Sequence, residues 1–144
     1  MQLWKISLTL ILVSTLLVSC ATTTADKTAN IQLPPGTLNA AQVTALFSGK
    51  TVESVLDSSG RVSLTYYNPN GQLRQLREGQ LRNGQWRVRD DGRICLQFAG
   101  NSDDKCRIIV KEGTVYRKYI VKLNGQHQPV ITYKSFRDGN LVDK

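Results

Sequence analysis

The chain has a single histidine, His127, and that scarcity removes the commonest routes to catalysis. No Ser-His-Asp order, cysteine–histidine dyad or multi-histidine metal set can be assembled around it, and its setting in Asn124-Gly125-Gln126-His127 reads as a turn. A phosphate loop is missing too. Gly49-Lys50-Thr51 lacks the glycine required five positions before Gly49, where Thr44 stands, and the tripeptide follows a helical stretch instead of preceding one. Adjacent carboxylates occur at Asp90-Asp91 and Asp103-Asp104. A glycosidase uses such a pair in principle, but both pairs sit in turns, where Asp is favoured for its side-chain bonds to backbone. The expectation is a protein that is not an enzyme, with no catalytic residues, no metal and no cofactor. Acidic residues are also scarce, 11 against 19 Lys and Arg, for a net charge of +8. Such a balance favours anionic partners. The apolar stretch from Ile6 to Val18 falls short of the roughly 20 residues that an ordinary spanning helix needs.

What is present begins with that stretch. One positive charge, Lys5, precedes it, and Leu17-Val18-Ser19-Cys20 closes it, the layout of a secretory signal with small residues at the cut. The motif resembles the lipobox of bacterial lipoprotein precursors. The resemblance implies cleavage before Cys20, diacylation of its thiol and acylation of the new amino terminus. Ala21 stands where an Asp would resemble an inner-membrane retention signal, which favours the periplasmic face of the outer membrane in a two-membrane cell. The expected organisation is a signal peptide over 1–19, a lipidated cysteine and flexible tether over 20–36, and one β-rich domain over 37–144. Loss of Lys5 with the signal lowers the net charge of +8 by one. The tether is Thr-rich and stiffens at Pro34-Pro35-Gly36. Export into an oxidising compartment leaves Cys95 and Cys106 as an even pair and a natural disulfide, the alternative being two free buried thiols.

After the tether the pattern predicts one short helix. Asn39 can cap it, Gln42 completes a capping box, Leu38 and Val43 are placed for a hydrophobic staple, and Val43, Leu46 and Phe47 form an apolar face. From Gly49 onward short β-rich runs alternate with turn signals, at roughly 50–57, 61–67, 72–82, 85–89, 93–98, 106–111, 114–122 and 128–136. The fold expected is mainly β, an antiparallel meander forming a small barrel or a sandwich. Asn83-Gly84 reads as a two-residue hairpin turn, which sets Leu81 opposite Trp86 and Glu78 opposite Arg89. At Asp90-Asp91-Gly92 a three-residue loop pairs Val88 with Ile94 and Trp86 with Leu96, so that Trp86, Val88, Ile94, Leu96 and Phe98 share a face. This register turns Cys95 outward beside Arg87, whereas alternation with Ile108 and Val110 turns Cys106 inward.

Arg74, Arg77, Arg82, Arg87, Arg89 and Arg93 crowd one stretch. Arg74, Arg87 and Arg89, with Tyr67, are the candidate binding residues of a basic Arg/Tyr surface for an anionic envelope polymer or a protein partner; export argues against nucleic acid. The competing reading is a solvated face whose arginines pair with Glu78, Asp90 and Asp91.

Ser48-Gly49-Lys50-Thr51-Val52, Tyr67, Gly71, Gly84-Gln85-Trp86-Arg87-Val88, Cys95 and Cys106 together resemble small secreted bacterial domains of uncharacterised function, over roughly residues 38–122. That resemblance implies an exported, disulfide-bearing β domain and brings no activity. The functional expectation is a non-catalytic envelope lipoprotein with a binding or maintenance role, its membrane contact made through the lipid. Two alternatives accompany it. One is a lysozyme inhibitor, similar in size and plan although no inhibitory motif maps onto these residues. The other is a carrier with a small ligand inside a barrel, which an apolar pocket of about 300 Å³ or more would favour and a filled interior would exclude.

Overall fold

The computed structural model describes residues 31–144. The signal-like segment, Cys20 and the tether as far as residue 30 lie outside the described residues. Among the described residues one helix, α1 (Ala40–Phe47), precedes eight strands: β1 (Lys50–Leu56), β2 (Val62–Tyr67), β3 (Gln72–Arg77), β4 (Gln80–Val88), β5 (Ile94–Phe98), β6 (Lys105–Glu112), β7 (Val115–Val121) and β8 (His127–Asp138). Each strand pairs antiparallel with the next and β8 returns to β1, so the meander closes into a barrel and not a sandwich. Closure leaves no unpaired edge.

The capping box forms as the sequence predicts. Asn39 Oδ1 accepts from the Gln42 N–H at 3.0 Å, and Gln42 Oε1 accepts from the Asn39 N–H at 3.0 Å. The helix directs Val43 and Phe47, both fully buried, into a core with Val52, Tyr67, Leu73, Trp86, Ile94, Ile109 and Tyr133. Only Ser48 and Gly49 separate α1 from β1, which confines the helix to the barrel end where β1 begins. Tyr67 at the end of β2 and Ile94 at the start of β5 meet it there, so α1 plugs that end. Phe47 is the centre of the plug, edge-to-face with Tyr67, Tyr133 and Phe136 at centroid distances of 4.9, 5.2 and 5.5 Å.

The β4–β5 hairpin keeps the expected register, Val88 opposite Ile94 and Trp86 opposite Leu96. The Asn83-Gly84 turn does not form. β4 runs straight through it, and β3 and β4 are joined instead at Glu78-Gly79, both at positive φ (51° and 75°). Leu81 therefore faces Leu76, and Glu78 pairs with Arg61 at 3.6 Å, not with Arg89. Gly84 belongs in a strand for a steric reason: a Cβ on it would lie 2.4 Å from the Gln97 carbonyl oxygen of β5.

Cys95 and Cys106 form a disulfide, directly opposite one another on β5 and β6. Direct pairing puts both on the same face, so Cys106 points outward with Cys95 and the inward row of β6 is Lys105, Arg107 and Ile109. The bridge spans a sequence separation of 11. The chain-entropy account gives a loop of that size about 3 kcal/mol.

Candidate ligand cavity

Small eight-stranded barrels either fill their interior with side chains or hold one small ligand. Here the half next to α1 is filled and the other half is not. A cavity of about 360 Å³ occupies it and reaches solvent among Asn101, Asp103 and Lys105, all exposed. The size lies within the range of small-molecule sites.

The strand pattern explains what lines it. Inward positions of β2 read Ser63, Thr65, Tyr67; those of β3 read Leu73, Gln75, Arg77; those of β6 read Lys105, Arg107, Ile109; those of β7 read Tyr116, Lys118, Ile120. The rows of β2, β3 and β6 are apolar or aromatic near the helix and polar beyond it, whereas that of β7 turns polar at Lys118 and apolar again at Ile120. Leu96, Phe98 and Ile131 supply apolar wall. Gln75 Nε2 donates to Thr65 Oγ1 at 2.9 Å, and Arg82 Nη1 donates to Gln75 Oε1 at 3.3 Å. The Arg82 guanidinium lies over the Phe98 ring, 4.0 Å from its centroid.

Charge is distributed unevenly between the two faces. Arg61, Arg74, Arg87, Arg89, Arg93 and Arg117 each contact a carboxylate. Arg77, Arg82, Lys105, Arg107 and Lys118 line the cavity, and among the described residues none makes an ion pair. Among the described residues the one acid in the lining is Asp103, at the rim. Lys118 is the most enclosed of the five, 5% exposed. Burial, reinforced by the like charge of Arg107, pushes its ammonium down to about 8. Tyr133 is also 5% exposed, and among the described residues its hydroxyl has no hydrogen-bond partner. Burial raises the phenols of Tyr67 and Tyr133 well above the usual tyrosine range, so both remain neutral donors.

The candidate binding residues separate. Tyr67 is 3% exposed and points into the barrel, so it shares no surface with the arginines. Arg74 engages Asp143 at 2.6 Å, Arg87 engages Asp104, and Arg89 lies 3.6 Å from Asp91. Arg77 and Arg82, read in sequence as part of the outer cluster, belong to the cavity. His127 opens β8 opposite Val121. Cys95, Asp104 and Cys106 lie together on the outer wall, but the sulfurs are bonded to each other and are not thiolate ligands. Sequence reasoning missed Lys118, Arg107, Lys105 and Tyr133. For Lys118 the signal was a charge in a row whose neighbours two positions away are Tyr116 and Ile120; Lys105, Arg107 and Tyr133 carry no signal of that kind.

A protein-family model described as "Protein of unknown function (DUF995)" matches residues 14–124, a stretch that includes α1 to β7 and ends before β8. No curated protein matches the chain.

Proposed function

We propose that this chain, which belongs to the DUF995 family of proteins of unknown function, is a non-catalytic carrier that holds a small ligand inside its barrel. Lipid on Cys20 moors it at the periplasmic face of the outer membrane. The observation that carries the reading is the cavity of about 360 Å³ that opens among exposed polar residues. A barrel interior serving stability alone would be close-packed with apolar side chains. This one leaves its outer half open and lines it with Ser54, Ser63, Thr65, Gln75 and Lys118. An outer basic surface has less support, because its arginines already contact Asp143, Asp104 and Asp91.

Mass spectrometry of protein extracted gently from its own membranes tests both halves. Under denaturing conditions the chain should begin at Cys20 and carry acyl mass; an unacylated chain retaining residues 1–19 would sink the anchor. Under native conditions a small-molecule adduct should survive on the wild type. It should be lost from Ser63→Trp, which places an indole in the cavity. No adduct, or the same adduct on both proteins, would sink the carrier.

A further inference from the structure

From the placement of charge in the cavity we infer that its occupant is an amphiphile headed by an oxyanion, the head seated against Lys118 and Arg107 and the apolar part lying along Leu96, Phe98 and Ile131. This deepens the carrier reading and rests on it.

Arg107 and Ile109 are successive inward residues of β6, and Lys118 stands opposite Ile109 on β7. Lys118 and Arg107 are therefore diagonal neighbours across one strand pair, close enough for one anionic group to reach both. Like charges so placed repel, and a buried ammonium without a counter-ion is costly. An anion relieves both costs together. The Tyr133 hydroxyl, enclosed and without a partner among the described residues, is available as a further donor. Arg77, Arg82 and Lys105 stand in the same cavity with, among the described residues, Asp103 alone opposing them, so the field draws anions inward along the whole passage. The walls are not uniformly polar. Leu96, Phe98 and Ile131 offer a surface that inorganic phosphate would leave wet and a short alkyl chain would cover.

The test is titration calorimetry on the mature lipidated protein in lipid nanodiscs, with empty nanodiscs as the blank. The probes are octanoate, octyl phosphate, octanol and inorganic phosphate. Octanoate and octyl phosphate should bind about tenfold or more tightly than octanol or inorganic phosphate. Lys118→Met should weaken both anionic amphiphiles by a similar factor and leave octanol unchanged. Near pH 8 octanoate binding should draw a proton from the buffer, because an adjacent anion favours the charged amine. Lys118→Met should abolish that uptake, which separates Lys118 from Arg77, Arg82, Lys105, Arg107, Asp103, Tyr67 and Tyr133 in the same cavity. Octanol binding as tightly as octanoate, or octanoate unaffected by Lys118→Met, would overturn the oxyanion head. Inorganic phosphate binding as tightly as octyl phosphate would overturn the amphiphile in favour of a free anion. Failure of all four probes would overturn the carrier reading itself.

Discussion

Replacing Phe47 with alanine should destabilise the barrel by about 3–5 kcal/mol, the range for deleting a fully buried phenylalanine. The ring is 0% exposed and is ringed by Tyr67, Tyr133 and Phe136, which belong to β2 and β8 and cannot collapse inward without breaking sheet pairing. The cavity left behind should therefore stay largely open, which places the loss toward the upper end. Small domains are stable by only about 5–15 kcal/mol in all, so the variant should unfold at markedly lower urea concentration. Val62→Ala, on a strand position 52% exposed, is the control and should shift stability by no more than about 0.5 kcal/mol. Trp86 packs edge-to-face on Tyr67 and reports the transition by fluorescence. A loss below about 1 kcal/mol for Phe47→Ala would mean that α1 is an appendage and not the plug.

Lys118→Met should act in the opposite direction and stabilise the ligand-free protein. In the unfolded chain this amine holds its proton up to the ordinary lysine value of 10.5, whereas in the barrel it releases it at about 8. Between those values the unfolded state binds more protons, so wild-type stability rises with pH across that window. Below it the penalty is complete, about 3 kcal/mol at 1.36 kcal/mol per pH unit. The variant should be more stable than wild type at pH 7 by up to about that amount, and the advantage should shrink as pH climbs toward 10. Tyr67 and Tyr133 add a bend of opposite sign. Burial keeps their protons on in the folded state after unfolded tyrosines ionise, so stability falls above about pH 10 in both proteins. Urea unfolding at pH 7, 8, 9 and 10 reads the effect. A variant less stable than wild type at pH 7, or an offset constant with pH, would show that Lys118 is not an uncompensated buried charge.

The parts of the fold that follow from local chemistry could be read directly from residues. Asn39 and Gln42 make a capping box wherever a helix starts, and Gly92 closes a three-residue loop because alternation on both flanking strands demands it. Asn83-Gly84 misled for the opposite reason: its glycine answers to a neighbouring strand, since Gln97 comes too close for any Cβ, and that is a long-range fact. The inward reading of Cys106 failed likewise: it does alternate with Ile108 and Val110, but that buried row lies on the outer face of the sheet, and only the closure of the barrel decides which face is inside. The choice of a barrel over a sandwich depended on β8 reaching β1, which no local signal records. The cavity was hidden for the same reason. Lys105, Arg107 and Lys118 look like ordinary surface charges until closure of the sheet turns their rows inward.

The proposed ligand is an anion inside this barrel with its charge at Lys118. Crystals soaked in 8-bromooctanoate and measured at the bromine absorption edge address it directly. An anomalous peak is expected between Phe98 and Ile131, with the carboxylate on Lys118 and Arg107. A bromine bound only on the outer wall, or an interior closed by its own side chains, would contradict it.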